Sequence, residues 1–300
     1  MTAHHYLGAH TVDVGGIHMA VRRAANTGMT ALQVFTAKPQ FYNERISVRP
    51  ERVERFKTAL AATKIAPTNV VAHGAYVLNV ATPDEAKWVR ARDGLAKELE
   101  RATALGIGIV CFHPGAATDG DRTAAAKRIA TAIVHALETV PRTDTRLLVE
   151  NTAGAGVTMA RTAQEVGDIL GHVPKRLRAR TGYGLDTCHL WSSGYDIAAS
   201  SSDFTAVLDE FEQATGETPG FFHLNDSEGE RGSNRDRHAL IGDGRIGRDA
   251  FGWLLRDRRS RGVPLVLETP QLNMEPADDD DSPDPYDVQM MALLAGLAGD

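Results

Sequence analysis

Three side chains that commonly bind metal ions lie close together in HLNDSEGERGSNRDRH, residues 223–238. His223 ends an apolar run, and Asp236 and His238 follow a polar loop. In an extended backbone, residues two apart point to the same side, so Asp236 and His238 can reach one ion. Imidazole and carboxylate ligands without a thiolate suit zinc, with manganese or iron as alternatives. The stretch therefore predicts part of a metal site.

Other metal-binding residue types end further short apolar runs along the chain. The additional candidates are His73, His113, Glu150, Asp186, His189 and Glu268. Taken singly, a histidine at a strand end is more often a hydrogen-bonded structural residue, and a lone carboxylate can cap the next helix. Gathered in one place, five imidazoles and four carboxylates would require cations, because buried charges must be paired or bound to metal. Nine ligands are too many for one ion and suit three.

Short apolar runs and amphipathic segments alternate along the chain, and this pattern predicts the fold. Eight candidate strands begin near residues 5, 31, 69, 107, 145, 183, 220 and 264. Their spacing accommodates a strand and a crossover helix, which take about 30 or more residues. We expect an α/β fold, a (β/α)8 TIM barrel with a C-terminal helix. A doubly wound open sheet is the alternative, but no GxGxxG follows the first predicted strand.

The prediction treats residues 1–300 as a single barrel domain, with an acidic connection at about 271–285 and a closing helix at 286–299. Thr82 to Glu85 forms a predicted capping box with Pro83 at the first helical position, and Thr162 to Glu165 forms a second one. These two motifs should mark the starts of helices that follow predicted strands.

A barrel would bring the candidate ligands together, because the carboxyl ends of its strands form one rim that carries the active site. Asp186 and His189 are both expected at the end of the sixth strand. Cys188 lies between them and should point away, since side chains alternate along a strand. His10, at the end of the first strand, faces the same rim and is expected to hydrogen-bond within the site.

The composition is that of an ordinary soluble protein, with 42% hydrophobic and 24% charged residues and a formal charge of −6. The charge gives no overall basic surface for nucleic acid. Two cysteines form no disulfide framework and favour a reducing compartment. The first residues lack a secretory signal pattern, and the apolar runs are too short to span a bilayer. We therefore expect a cytoplasmic protein.

Long motifs resemble those of one enzyme family. They are GAHxxxxGG, AHGAYVLNVATPD, FHPG, VENTAGAG, LDTCHLWSSGYDI, HLND followed by GSNRDRHALIGDGRIG, and VLET. In this order they resemble the endonuclease IV family of abasic-site endonucleases, which are trinuclear-zinc TIM barrels that repair DNA. The resemblance runs from about Gly8 to Glu268, and the expected residue type fills all nine metal positions.

The resemblance implies how the ligands divide among three zinc ions. His73, His113 and Glu150 would hold the first ion, and Glu150 would bridge to a second ion. The second would be completed by Asp186, His223 and Glu268, and the third would be held by His189, Asp236 and His238. Glu150 and Glu268 are the candidate catalytic carboxylates. A metal-activated hydroxide would cleave 5′ to an abasic site, leaving a 3′-hydroxyl and a 5′-deoxyribose phosphate.

The resemblance also implies a duplex DNA partner with abasic lesions. Tyr76 matches a position that enters the DNA, where an aromatic ring can stack on a base. The family usually has an Arg-containing segment ending in Trp after the second strand, and here FTAKPQFY places Gln40, Phe41 and Tyr42 there. Phe41 or Tyr42 could act as an apolar wedge. Arg235 and Arg237 are further candidate DNA contacts, and a monomer is expected because the barrel mouth must accept a duplex.

Two alternatives from other classes stay open on the sequence. A sugar isomerase or epimerase could use the same barrel with one or two divalent ions and a base for carbon-acid proton transfer. The complete Asp236–His238 pair argues against it. A non-catalytic DNA- or metal-binding protein would be expected to lose a bridging ligand such as Glu150, which is retained.

Overall fold

The computed structural model describes residues 5–37, 49–141 and 143–299. Eight parallel strands close into a barrel, since β1 pairs with both β2 and β10. The barrel strands are β1 (Tyr6–His10), β2 (Ala31–Phe35), β3 (Val70–His73), β4 (Ile109–Phe112), β5 (Arg146–Glu150), β6 (Thr181–Asp186), β7 (Phe222–His223) and β10 (Pro264–Leu267). Closure confirms the predicted TIM barrel and excludes the open doubly wound sheet.

Helices connect the barrel strands. The described residues form α1 (Ile17–Asn26), α2 (Pro50–Ala61), α3 (Glu85–Leu105), α4 (Arg122–Thr139), α5 (Ala163–Gly171), α6 (Thr187–Ser193), α7 (Ser201–Thr215), α8 (Arg248–Arg256) and α9 (Pro285–Ala298). Short 3-10 helices occupy Pro67–Asn69, Lys175–Arg180 and Arg258–Ser260. Across the described ranges, every helix is too short or too polar to cross a membrane.

The predicted closing helix is α9, which starts one residue earlier than expected and buries Met290 and Leu294. A small antiparallel pair, β8 (Asp226–Ser227) and β9 (His238–Ala239), lies outside the barrel sheet. This pair has no signal in the sequence, because two-residue strands leave no alternating pattern.

The barrel interior contains an apolar layer that supports the rim. Val71, Ile109, Leu148, Phe221 and Val266 belong to one buried cluster. Because side chains alternate along a strand, the residue two positions later points the same way. Four of these residues are followed two positions later by a candidate ligand: His73, Glu150, His223 and Glu268. The same alternation that builds the apolar layer therefore directs the ligands inward, one layer nearer the rim.

The helix starts confirm Thr162 as a helix cap and correct the other predicted cap. Thr162 caps α5 by accepting a hydrogen bond from the Glu165 amide at 3.3 Å. The cap of α3 is Asp84, which accepts from the Lys87 amide at 3.0 Å. Thr82 instead accepts from the Asp84 amide at 3.3 Å. The prediction of Thr82 as the cap was therefore wrong by two residues, because its hydroxyl serves the turn before the helix.

Candidate metal centre

The nine predicted ligands gather at the carboxyl ends of the strands, around a chamber of about 590 Å³. Six of them line it: His73, His113, His189, Asp236, His238 and Glu268. The other three, Glu150, Asp186 and His223, are fully buried beside them. Among the described residues, ligand-type atoms fall into five groups in which all members lie within 4.8 Å of one another. Three groups consist of the predicted ligands alone, and the other two include Cys111 or Cys188.

The first group contains His73, His113 and Glu150. Oε2 of Glu150 lies 3.4 Å from Nε2 of His73 and 3.3 Å from Nε2 of His113. The three residues come from the ends of neighbouring strands β3, β4 and β5, with His113 one residue beyond β4. Parallel pairing of these strands therefore brings the group together.

The second group shares Glu150 with the first and adds Asp186, His223 and Glu268. Nδ1 of His223 lies 2.9 Å from Glu150 Oε1, 3.4 Å from Glu268 Oε2 and 3.8 Å from Asp186 Oδ2. Three carboxylates thus surround one imidazole nitrogen. Such a concentration of negative charge in a buried space requires compensating positive charge, which a proton or a cation can supply.

The third group consists of His189, Asp236 and His238. Oδ2 of Asp236 is 3.0 Å from Nε2 of His189, and its Oδ1 is 2.9 Å from Nε2 of His238. The Asp236–His238 pair therefore reaches one site, as its spacing predicted. Oδ2 of Asp186 lies 3.7 Å from Nε2 of His238, which places the second and third groups side by side.

Unpartnered buried atoms test whether these groups fit cations. Four buried atoms lack a partner in hydrogen-bonding geometry among the described residues, although carboxylate or imidazole atoms lie close to them: Nε2 of His113, Oε2 of Glu150, Nε2 of His189 and Nε2 of His238. Each atom belongs to one of the three groups. Buried polar atoms are normally hydrogen-bonded, so convergent atoms without a partner fit metal coordination. Imidazole and carboxylate donors also suit zinc.

Two expectations about the predicted site are corrected by the structure. β6 ends at Asp186, and His189 lies in the first turn of α6, where Asp186 accepts a hydrogen bond from the His189 amide at 3.0 Å. His189 therefore reaches the site through helical geometry. Cys188 also lies in α6, so its side chain does not point away as strand alternation predicted. Its sulfur lies within 4.8 Å of ligand-type atoms of Asp186 and His238.

A family model described as Xylose isomerase-like TIM barrel matches residues 21–290. The chain is 34% identical over 269 residues to a probable endonuclease 4 of Protochlamydia amoebophila, covering 88% of this chain and 92% of the relative. The chain belongs to the endonuclease IV family. It is also 32% identical over 270 residues to apurinic-apyrimidinic endonuclease 1 of Saccharomyces cerevisiae, covering 89% of this chain and 72% of the relative.

A solved structure agrees with this assignment to the endonuclease IV family. The crystal structure of endonuclease IV from Thermus thermophilus superposes with a TM-score of 0.81 at 28% identity. The similarity covers 98% of this chain and 99% of that one. The barrel and its C-terminal helix are therefore matched along almost the whole chain.

Two neutral amides, which sequence reasoning missed, hold the ligands of this endonuclease IV family member. Oε1 of Gln33 lies 2.7 Å from Nε2 of His223, and its Nε2 donates to Oε1 of Glu268 at 2.5 Å. Nδ2 of Asn225 donates to Oδ2 of Asp186 at 2.6 Å. Hydrogen bonds of this kind orient metal ligands. Gln33 follows Ala31 of the apolar layer by two positions, and this register is the signal that could have identified it.

His10 has the expected hydrogen-bonding position. Its Nδ1 lies 3.2 Å from Nε2 of Gln33, so it contacts the ligands through that amide. Burial lowers the pKa of His10 to about 4, although Glu268 opposes the shift. A neutral His10 leaves Nδ1 free to accept the hydrogen bond that Gln33 donates.

The ligands of the centre have displaced pKa values. Burial lowers the pKa of His223, but Glu150 and Glu268 outweigh it and raise the value to about 9. Burial also lowers the pKa of His238, and the adjacent Asp236 carboxylate with the charge of Asp186 raises it to about 10. For Glu268, burial raises the pKa, while His223 and His73 bring it down to about 2. The Glu268 carboxylate is therefore ionised and favours positive charge beside it.

The predicted DNA-contacting residues differ in their position relative to the chamber. Tyr76 is 61% exposed at the chamber, and its ring centroid lies 5.4 Å from that of His73. Arg235 and Arg237 are exposed on the loop before β9, and Arg237 lines the chamber. Gln40, Phe41 and Tyr42 lie outside the described residues. The DNA-binding role of all these residues stays a prediction, and so does the metal-binding role of the nine candidate ligands.

Proposed function

We propose that the protein is a zinc-dependent DNA repair endonuclease that hydrolyses the phosphodiester bond 5′ to an abasic site. The products would be a 3′-hydroxyl and a 5′-deoxyribose phosphate. The observation that carries the proposal is the set of three ligand groups joined at one chamber, with the first two sharing Glu150. The family membership and the similarity to abasic-site endonucleases and endonuclease IV proteins support the same activity.

The three ligand groups indicate which residues would hold three cations. His73, His113 and Glu150 form the first set, Glu150 with Asp186, His223 and Glu268 the second, and His189, Asp236 and His238 the third. When bound, divalent cations lower the pKa of water toward neutrality and neutralise negative charge on phosphate and leaving oxygens. Zinc suits these ligands, with manganese or iron as alternatives.

The side chains of the protein would supply negative charge at the centre and a fixed orientation of the ligands. Glu150 and Glu268 are the proposed catalytic carboxylates, because their ionised oxygens lie among the imidazoles of all three groups. Gln33 and Asn225 fix the orientation of Glu268, since both donate hydrogen bonds to its oxygens. Side chains held in this way need no rearrangement when charge develops on the substrate, and such preorganisation favours the transition state.

Tyr76 and the two exposed arginines are the proposed contacts to duplex DNA. An exposed ring beside the chamber can stack on a base next to the lesion, and a missing base lowers the cost of extruding the nucleotide. Arg235 and Arg237 can pair with phosphates. We also propose Gln40, Phe41 and Tyr42 as contacts, and a cytoplasmic, monomeric protein whose residues 1–300 form a single barrel domain.

A sugar isomerase or epimerase would share this barrel, but the third ligand group distinguishes the two functions. Carbon-acid proton transfer needs one or two ions and a base. The group of His189, Asp236 and His238 would then have no purpose. A hydrolase that must neutralise an attacking group, a phosphate and a leaving oxygen has a use for every group.

Incision of a defined duplex tests the proposal. Purified protein would be assayed for metal content and incubated with a duplex that carries one tetrahydrofuran abasic analogue in a labelled strand. We expect three metal ions per chain, cleavage 5′ to the analogue, and a 3′ end that a DNA polymerase extends directly. Fewer metal ions, turnover of a ketose and an uncut duplex would contradict the nuclease and favour the isomerase.

A further inference from the structure

Asp226, a short distance along the chain from the candidate ligand His223, has a carboxylate that is fully buried. Five backbone N–H groups donate to it. Oδ1 accepts from Ser227 at 2.8 Å and Ile246 at 2.9 Å, and Oδ2 accepts from Gly242 at 2.9 Å and from Gly244 and Gly247 at 3.3 Å. The oxygens of Asp226 are thus occupied by the backbone, which leaves this carboxylate outside the three ligand groups.

The glycines of IGDGRIG, residues 241–247, allow these amides to converge on Asp226. Gly242 and Gly247 have φ values of +95° and +80°, a region that residues with a side chain rarely adopt. A Cβ on Gly244 would clash with Oδ1 of Asp226. Successive amides that converge in this way form a binding concavity for an anion, and here the anion is the chain's own side chain.

The hydrogen bonds to Asp226 also hold β9, the strand that carries His238. β8 and β9 pair so that Asp226 lies opposite Ala239 and Ser227 opposite His238. Residues 242–247 follow soon after β9 and are bound to the carboxylate on β8. β9 is therefore fixed by backbone pairing along its length and by the Asp226 hydrogen bonds just beyond its end.

We infer that Asp226 is a positioning residue for the third ligand group, a role that rests on the proposed three-cation centre. Its hydrogen bonds hold β9 in register, and β9 places Nε2 of His238 2.9 Å from Oδ1 of Asp236. The first two groups take their residues from the ends of barrel strands, and none of their ligands lies on β9. Weakening the Asp226 contact should therefore affect the third cation selectively.

Asp226→Asn is the main test. The carboxamide replaces one acceptor oxygen with a donor, so at least two of the five N–H groups lose their acceptor. Residues that orient metal ligands typically contribute about 10–100-fold to metal affinity. Zinc titration against a chromophoric chelator should show three tight sites in the wild type. In Asp226→Asn we expect two unchanged sites and a third that is weaker by about 10–100-fold.

Two further variants make the result specific. Gly244→Ala disrupts the same hydrogen bonds from the loop side, because its Cβ would clash with Asp226. It should reproduce the selective loss of affinity at the third site even if Asp226→Asn fails to fold. Asp287→Asn is the matched control, because Asp287 is also a buried carboxylate, at 2% exposure, but lies on α9 and accepts from Gln271. This control should keep three tight sites.

The outcomes separate this inference from the proposed function. Three wild-type sites with unchanged affinity in both folded variants, Asp226→Asn and Gly244→Ala, would overturn the positioning role and leave the nuclease intact. Equal weakening of all three sites would also overturn it, because the effect would then be general. A wild type with fewer than three tight sites would contradict the three-cation centre itself, and the inference would fall with it.

Discussion

Oε1 of Glu150 on β5 lies 2.9 Å from Nδ1 of His223 on β7, across the intervening strand β6. Both side chains are fully buried. The other oxygen of Glu150 faces His73 and His113 at 3.4 and 3.3 Å. One carboxylate therefore belongs to two ligand groups, and the first two candidate sites are joined through it.

Glu150→Gln should abolish most of the activity. The amide keeps the shape but removes the charge that both groups share and replaces one acceptor oxygen. Because residues that only orient metal ligands already contribute about 10–100-fold, incision should fall by at least about 100-fold. Metal content should fall as well. Glu138→Gln, on the exposed end of α4, is the control and should cut like the wild type. Full activity in Glu150→Gln would show that the shared carboxylate is not needed.

Gln33→Leu should weaken metal binding without removing any ligand. The change deletes the hydrogen bonds to His223 and Glu268, and lost ligand orientation costs about 10–100-fold in affinity or activity. Chelator competition and incision rates would measure both. Gln213→Leu, at an exposed position of α7, provides the control. Identical behaviour of the two variants would contradict an orienting role for Gln33.

Tyr76→Ala should impair DNA binding more than the chemical step. Loss of a stacking contact is worth about 1–3 kcal/mol, or roughly 5–150-fold in affinity. KM and the Kd for an abasic duplex should therefore rise while metal content stays constant. Tyr76→Phe retains the ring and should behave like the wild type. A drop in kcat at unchanged KM would instead indicate that the hydroxyl or the ring acts in catalysis.

Arg235→Ala with Arg237→Ala should reduce the salt dependence of DNA binding. Each lost phosphate contact lowers the slope of log K against log salt by about 0.9, so the double variant should lose up to about 1.8. Arg176→Ala is the control, because this arginine is exposed in the segment that precedes β6, on the face opposite the chamber. An unchanged slope in the double variant would show that Arg235 and Arg237 do not contact DNA phosphates.

Asp287→Asn should stabilise the protein at neutral and alkaline pH. Burial, with a smaller effect of Asp284, raises the pKa of Asp287 to about 7. Between about pH 4 and 7 the folded state binds a proton that the unfolded state has lost, so the free energy of unfolding decreases as the pH rises. Asparagine stays neutral and can still accept from Gln271. Urea unfolding should show equal stabilities near pH 4 and a growing advantage of the variant up to pH 8.

A pH-independent difference between Asp287→Asn and the wild type would contradict this assignment. The comparison of the two proteins at each pH removes the contribution of titrating groups that do not interact with Asp287, because both proteins share those groups. The pH dependence of the difference then reports the raised pKa of Asp287 and its interaction with Asp284.

Local sequence information was sufficient for the barrel and for the identity of the candidate ligands. Alternation along short apolar runs predicted the strands, and the parallel arrangement placed His73, Glu150 and Glu268 on one rim. Charged and imidazole side chains after such runs stand out because they are costly to bury without a partner. The same reasoning misplaced His189, since a strand and the first turn of a helix both bring residues near Asp186 to the rim.

Only the tertiary structure decided how these residues are held. Gln33, Asn225 and Asp226 contact partners that are up to 235, 43 and 21 residues away in the chain, respectively, and no local pattern encodes such pairings. Neutral amides also carry no charge that would mark them as unusual in a buried position. Barrel closure and the β8–β9 pair create these contacts, because hydrogen bonds depend on distance and direction in space. Chemistry could be assigned from residue types, whereas orientation required the folded chain.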